Sequence, residues 1–201
     1  SLLVKVKPSP SLVTVKDTSI CEGASVYLSF KAYAGESYQW YDAIVAGTVL
    51  STQNHYQTPA ITASTTYYIE SLGANGCHSV ARAALNVSTI AAPVSSFTST
   101  SLAQSGQYIA NFTSTSTGAD SYYWIFGDTA VAGNTSTEAN PFHTYPAAAD
   151  YPIVLITTNA NGCTDTLSTL VRVSGNNALF IPTTFTPNGD GKNDLFRVRG
   201  D

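Results

Sequence analysis

Short runs of β-branched and aromatic residues, each cut off within about ten residues by Gly, Pro, Asn, Asp or Ser, fill this chain almost from end to end. Helical periodicity is nearly missing. No stretch carries apolar residues at i, i+3, i+4 and i+7 between sensible caps. Strands at such close spacing bury their apolar faces by packing sheet on sheet, so the chain predicts an all-β sandwich architecture.

Its 201 residues suit two sandwich modules of about 100 residues each. Charged residues make up only 11% against 43% hydrophobic ones, which sets the chain apart from charge-rich disordered segments. The net charge is -4, and the nine Lys and Arg are scattered. A surface that tracks phosphates needs the opposite balance, so nucleic acid is a poor partner. No run approaches the ~18 apolar residues of a membrane span. Met is absent while Ser and Thr are abundant, a neutral hydroxyl-rich balance common outside cells.

Residues 1–7 alternate Val with Lys and lack the build of a signal peptide. They read as the end strand of a preceding module, so the chain is expected to be a slice of a longer protein. A first module spans 8–92. Strands are predicted at Ser11–Val15, at Ser25–Ala32 with Val26, Leu28 and Phe30 on one face, at Ser37–Tyr41 around Trp40, at Thr66–Ser71 around Tyr67 and Ile69, and at Val80–Ser88. A second module spans 93–174, opening at the linker residue Pro93. Its strands are predicted at Gln107–Thr113, Ser121–Phe126, Asp150–Thr158 and Asp165–Val173. Gly73-Ala-Asn-Gly-Cys77 in the first module mirrors Asn159-Ala-Asn-Gly-Cys163 in the second, an internal repeat of about 86 residues. Residues 175–201 begin with a linker and open a further segment too short to bury a core alone.

The three cysteines are Cys21, Cys77 and Cys163. None forms the Cys-x-x-Cys spacing of zinc or redox sites. Cys21 and Cys77 flank the first module and are expected to form a disulfide. Closing that loop of roughly 55 residues adds about 4 kcal/mol in the chain-entropy model and needs an oxidising compartment. The alternative is two buried free thiols. Cys163 is then left either free or paired outside the chain.

Three motifs carry family resemblances. Tyr122-Tyr-Trp-Ile-Phe-Gly-Asp128 followed by Asn140-Pro-Phe-His-Thr-Tyr145 resembles a PKD domain, an immunoglobulin-like sandwich common in extracellular proteins. Ile125 and Thr129 stand where that signature carries Asp and Gly. The resemblance implies that Trp124 and Phe126 anchor the core, that Gly127-Asp128 turns the chain, and that His143 and Tyr145 tie the next loop down. The first module, with Ile20-Cys-Glu-Gly23 and Asn75-Gly-Cys77, is similar to the immunoglobulin-like repeats of large Bacteroidetes surface proteins. In an immunoglobulin domain the buried Trp packs beside the disulfide. Residues Phe180–Phe196, with Thr-Pro-Asn-Gly-Asp-Gly at their centre, resemble the opening of the C-terminal sorting domain of type IX secretion substrates, the variety named for gliding motility. That resemblance implies export across the outer membrane, with the translocon and an outer-membrane shuttle as partners of the complete domain.

Candidate chemistry is sparse. Asn188, Asp190, Asn193 and Asp194 offer side-chain oxygens around glycines, as calcium requires. Lys192 and the lack of a closing Glu depart from an EF-hand, and an Asx-bonded turn explains the same residues. No other cofactor is expected. Asp42, Glu70, Asp120, Asp128 and Glu138 show no spacing of a glycosidase pair. His55, His78 and His143 make no zinc-protease motif, and neither a nucleophile elbow nor a phosphate loop occurs. Thr129 and Thr166, in Asp-Thr-Ala and Asp-Thr-Leu, are similar to Bacteroidetes O-glycosylation sites. Some of the twelve Tyr could stack on sugars, although most lie on predicted strands that need them for packing. Arg199-Gly-Asp201 matches the integrin tripeptide by chance.

The expectation is a non-enzymatic, secreted portion of a cell-surface adhesin, gliding-associated, in which the sandwich modules act as spacers. The alternative is a set of spacer or carbohydrate-binding modules accessory to a secreted polysaccharide-degrading enzyme. Adhesion to an extracellular glycan or other surface ligand would serve either role.

Overall fold

The computed structural model describes residues 7–104, 106–129 and 133–174, and every element among them is a strand. The chain divides into two compact units between Ala92 and Pro93.

The first unit holds β1 (Thr18–Cys21), β2 (Tyr27–Ser29), β3 (Glu36–Tyr41), β4 (Val49–Ser51), β5 (His55–Gln57), β6 (Thr65–Gly73) and β7 (Ala83–Ile90). They form a five-stranded sheet in the order β1-β7-β6-β3-β4 and a two-stranded sheet, β2-β5. β1 runs parallel to β7, and the other pairings are antiparallel. Leu28 and Phe30 point inward while Tyr27 and Ser29 point out, the period-2 pattern of a half-buried strand. They meet Tyr38, Trp40, Tyr67, Ile69, Leu85 and Val87 from the larger sheet in one core. Trp40 is fully buried, tilts against Phe30 and Tyr56, and donates from Nε1 to Gln53 O at 3.0 Å. That bond satisfies the indole's one polar group.

The second unit holds β8 (Phe97–Gln104), β9 (Gln107–Ser114), β10 (Ser121–Ile125), β11 (Thr135–Ser136), β12 (Phe142–Tyr145), β13 (Ala149–Thr158) and β14 (Thr164–Val173). Its sheets run β11-β10-β13-β14 and β12-β9-β8. Between them lie Ala110, Phe112, Trp124, Phe126, Tyr145, Ile153, Leu155 and Val173, each at most 1% exposed. Trp124 Nε1 donates to Glu138 O at 2.9 Å, the counterpart of the Trp40 bond.

Two expected strands are placed differently. Ser11–Val15 forms no strand, although Val13 is buried. The edge position goes instead to Thr18–Cys21, where Asp17 accepts from Asn86 N (2.8 Å) and Asn86 Nδ2 (3.0 Å) and so brings β1 alongside β7. The final strand starts at Ala83, not Val80. Ser79 binds back to Ser71 O and Ala81 O, and Val80 is left 91% exposed.

Candidate functional site

The most densely built polar cluster lies in the second unit, where β10 ends. Gly127 adopts φ +69°, a conformation open to Gly at little cost, and a Cβ there would meet Pro152 O at 2.4 Å. This turn carries Asp128 inward. Asp128 N donates to Asn134 Oδ1 and Phe126 N to Asn134 O, both at 2.9 Å. β12 brings His143 and Tyr145 up from the other sheet. Tyr145 OH donates to Phe126 O at 3.0 Å, fully buried. His143 stacks on Phe126 with centroids 4.6 Å apart and meets Tyr145 edge-on. Its Nε2 lies 3.6 Å from Asp128 Oδ2, with both side chains buried. Burial pushes His143 below the usual histidine value, and the Asp128 carboxylate acts against that shift. Burial, with the Asp128 charge second, drives Tyr145 far above the usual tyrosine range.

A His beside an Asp is the start of many catalytic arrangements. Here His143 is 7% exposed and Asp128 3%, so the pair is sealed inside the sandwich. This packing sets Asp128, just past the end of β10, beside His143 on β12. His143 and Tyr145 both sit on β12.

The other expected carboxylates do not converge on one another. Asp42 Oδ1 accepts from Thr48 N at 2.7 Å, and Asp120 Oδ2 from Ala160 N at 2.6 Å. Glu70 lies 3.0 Å from His78 and 3.8 Å from Arg82. Glu138 supplies the carbonyl that receives Trp124. Among the described residues no group of three or more His, Cys, Asp or Glu could hold a metal ion. The calcium candidates Asn188, Asp190, Asn193 and Asp194, and the sorting-domain motif around them, lie outside the described residues. So do the end strand proposed for 1–6 and the Arg-Gly-Asp tripeptide. Thr129 and Thr166 are both exposed.

The expected Cys21–Cys77 bridge is not formed. Cys77 is a free, half-buried thiol, whereas Cys21 and Cys163 are each disulfide-bonded. Cys21 is in register with Ile90 at one end of the sheet. Cys77 follows β6 at the other end, where its carbonyl accepts from Gly73 N. About eleven residues of strand separate the two levels, on the order of 35 Å, and a disulfide tolerates roughly 7 Å between Cα atoms. Trp40 therefore packs against aromatic rings with no Cys21–Cys77 bridge beside it.

One cluster has no forerunner in the sequence reading. Arg82 donates through Nη1 to Ala43 O (2.7 Å) and Ala46 O (2.6 Å), and its guanidinium lies 3.3 Å over the Tyr41 ring. It gathers the loop between β3 and β4, where Ala46 has φ +55°. The only available signal was an Arg in a chain poor in basic residues. Among the described residues the exposed aromatics are Tyr27, which stacks on His55 with centroids 5.3 Å apart, and Tyr33, Tyr123 and Phe142.

Comparison with known proteins fits this geometry. The family model described as "Ig-like domain CHU_C associated" matches residues 8–90, and that of the PKD domain matches 90–173. No curated protein matches. Among solved structures, the PKD1 domain of the Vibrio cholerae metalloprotease PrtV is 32% identical, covering 41% of this chain and 98% of its own, with TM-score 0.31. The PKD1 domain of Vibrio anguillarum Epp is 27% identical over 42% and 95%, with TM-score 0.33. The fibronectin(III)-like modules of Clostridium thermocellum CbhA are 12% identical over 80% and 91%, with TM-score 0.37. Both matched domain types are typical of extracellular proteins and are typically non-catalytic, and among the described residues no helix is long and apolar enough to cross a membrane. The chain thus carries a PKD domain, preceded by a stretch, residues 8–90, that matches the Ig-like CHU_C-associated model.

Proposed function

We propose that this chain is a non-catalytic portion of a secreted, cell-surface-anchored adhesin of the gliding-associated kind, made by a member of the Bacteroidetes. Its two sandwiches space and present an adhesive part away from the membrane. The observation that carries this reading is the filled, aromatic interior of each unit, sealed by its own Trp and lacking a reactive group open to solvent at the His143–Asp128 pair. Such modules supply length and stiffness. The domain limits proposed are 8–92 and 93–174, with 1–7 closing a preceding module and 175–201 opening the sorting domain. Export is assigned to the completed type IX sorting domain, through its translocon and shuttle. The adhesive target is an extracellular glycan or surface ligand. Calcium at Asn188, Asp190, Asn193 and Asp194, and O-glycans on Thr129 and Thr166, are proposed as accessory features of the same surface protein.

The test is deletion of the region downstream of Asp201 in the native parent, followed by fractionation. The expected result is loss of the protein from the cell surface and its retention in the periplasm. Unchanged surface display would sink the export assignment. A catalytic domain upstream in the parent reading frame would move the modules to the accessory role beside a polysaccharide-degrading enzyme. The exposed Tyr27–His55 stack favours glycan contact in that case.

A further inference from the structure

The two sheets of the second unit differ in the chemistry they turn outward. On the sheet β11-β10-β13-β14, Asp150 and Arg172 are exposed and paired at 3.4 Å. The strands of the other sheet, β8, β9 and β12, contain no Asp, Glu, Lys or Arg. Their His143 and Tyr145 belong to the buried face. Side chains alternate along a strand, so the burial of Ala110 and Phe112 turns Ile109 and Asn111 outward. Residues directly opposite in an antiparallel pair share a face. Phe142, Asn111 and Thr100 therefore form one outward row across the three strands, and Thr144, Ile109 and Leu102 form the next. Phe142 is 67% exposed, and Asn111 and Thr100 are exposed beside it.

This row has the makings of a sugar site. Strands lie about 4.8 Å apart, so an aromatic ring, an amide and a hydroxyl follow one another at intervals close to the length of a sugar ring. A pyranose carries an apolar face of C–H bonds and a rim of hydroxyls. Phe142 supplies the ring for the first. The Asn111 amide and the Thr100 hydroxyl each donate and accept, as sugar hydroxyls require. Charge selects among glycans. A sulfate or carboxylate would find no opposite charge on these strands, and desolvating it without a partner is costly. Size selects against a protein. The two rows with their neighbours span about 10 Å across the strands and about 13 Å along them. With side chains that is on the order of 200 Å², well under the ~800 Å² per partner of a stable protein interface. A short stretch of polysaccharide fits that footprint.

We propose that this outer face, centred on Phe142, Asn111 and Thr100, is a binding platform for an uncharged polysaccharide. The inference deepens the adhesin reading, on whose glycan target it rests, by placing the contact on the second unit.

The test is affinity gel electrophoresis of the 201-residue chain through mixed-linkage β-glucan, glucomannan and hydroxyethyl cellulose, with alginate as the charged control. The expected result is retardation by at least one of the three and none by alginate. Phe142→Ala should weaken that binding roughly tenfold or more, while Phe142→Tyr, which keeps the ring, should bind as the unsubstituted chain does. Asn111→Ala should weaken binding as well, and it decides the matter if Phe142→Ala fails to fold. Tyr27→Ala should bind normally. Binding undiminished in Phe142→Ala and Asn111→Ala would overturn the platform. If it were lost in Tyr27→Ala instead, the glycan target would stand and its contact would belong to the first unit. Retardation by alginate alone would also overturn the proposal. No retardation by any polysaccharide would remove both the platform and the glycan target, while the export assignment is judged separately by surface fractionation.

Discussion

At the scale of single residues, Gly127 and His143 govern the second unit most directly. Gly127 combines φ +69° with a backbone oxygen 2.4 Å from where a Cβ would stand. Gly127→Ala must strain the turn or push β13 away, and a loss of about 2–4 kcal/mol is expected, the left-handed backbone supplying ~1–3 of it. A urea midpoint unchanged from the parent chain would refute this. His143 gives a pH dependence. Its folded value lies below the usual 6.5 because burial disfavours the imidazolium. Between the two values the unfolded chain binds the proton and the folded chain does not. Stability is therefore full above pH 6.5 and falls as the pH drops from there towards the depressed folded value. The urea midpoint of the second unit, followed through Trp124, should decline on acidification over this range, and His143→Gln should flatten the decline.

At the scale of elements, side chains do joining work that backbone ladders do not. Arg82, just ahead of β7, holds the β3–β4 loop by two charge-assisted bonds and a ring contact. Arg82→Lys keeps the charge but loses the planar fork and the stacking. A cost of about 1–2 kcal/mol is expected, with faster amide exchange in residues 43–48; unchanged exchange there would count against the anchoring role. In the second unit, Ser95 ties the segment ahead of β8 to β14. Ser95 N donates to Asp165 Oδ2 at 2.7 Å, Ser95 Oγ donates to Asp165 O, and its hydroxyl meets that of buried Thr157 at 2.9 Å. The Ser95 amide also holds Asp165 below the usual carboxylate value. Ser95→Ala leaves Thr157 short of a partner and should destabilise the unit by about 1–3 kcal/mol, read as a lower melting temperature.

At the scale of the molecule, each unit has its own core and its own buried Trp. Ile69 lies fully buried in the first. Ile69→Ala removes several buried methyl groups and leaves a cavity, at a cost of about 2–5 kcal/mol. The loss should appear in the amide-exchange protection of β3, β6 and β7, while β9, β10 and β13 keep theirs. Equal loss in both sets would show that the two cores do not act as separate units.

Much of this architecture is local and therefore legible in the chain itself. Alternation at Val26, Leu28 and Phe30 sets which faces turn inward, because a strand's side chains point to opposite sides in strict succession. The repeated Ala-Asn-Gly-Cys segment fixes two identical turns, because a left-handed backbone favours Gly there. Short, polar or paired-by-neighbour strands were beyond that logic. Phe97–Gln104, hydroxyl-rich and given no element by its own pattern, becomes β8 because β9 offers it a ladder of eight paired residues. Thr18–Cys21 is a strand because Asn86 and β7 lie beside it. The same holds for the sites. Sequence spacing places Cys21 and Cys77 at the two ends of a module along the chain, but disulfides form through space, and the parallel pairing of β1 with β7 carries Cys21 to the pole opposite Cys77. Local chemistry thus determined the class of fold and its turns, while strand order, which no local pattern encodes, decided which cysteines, charges and rings could meet.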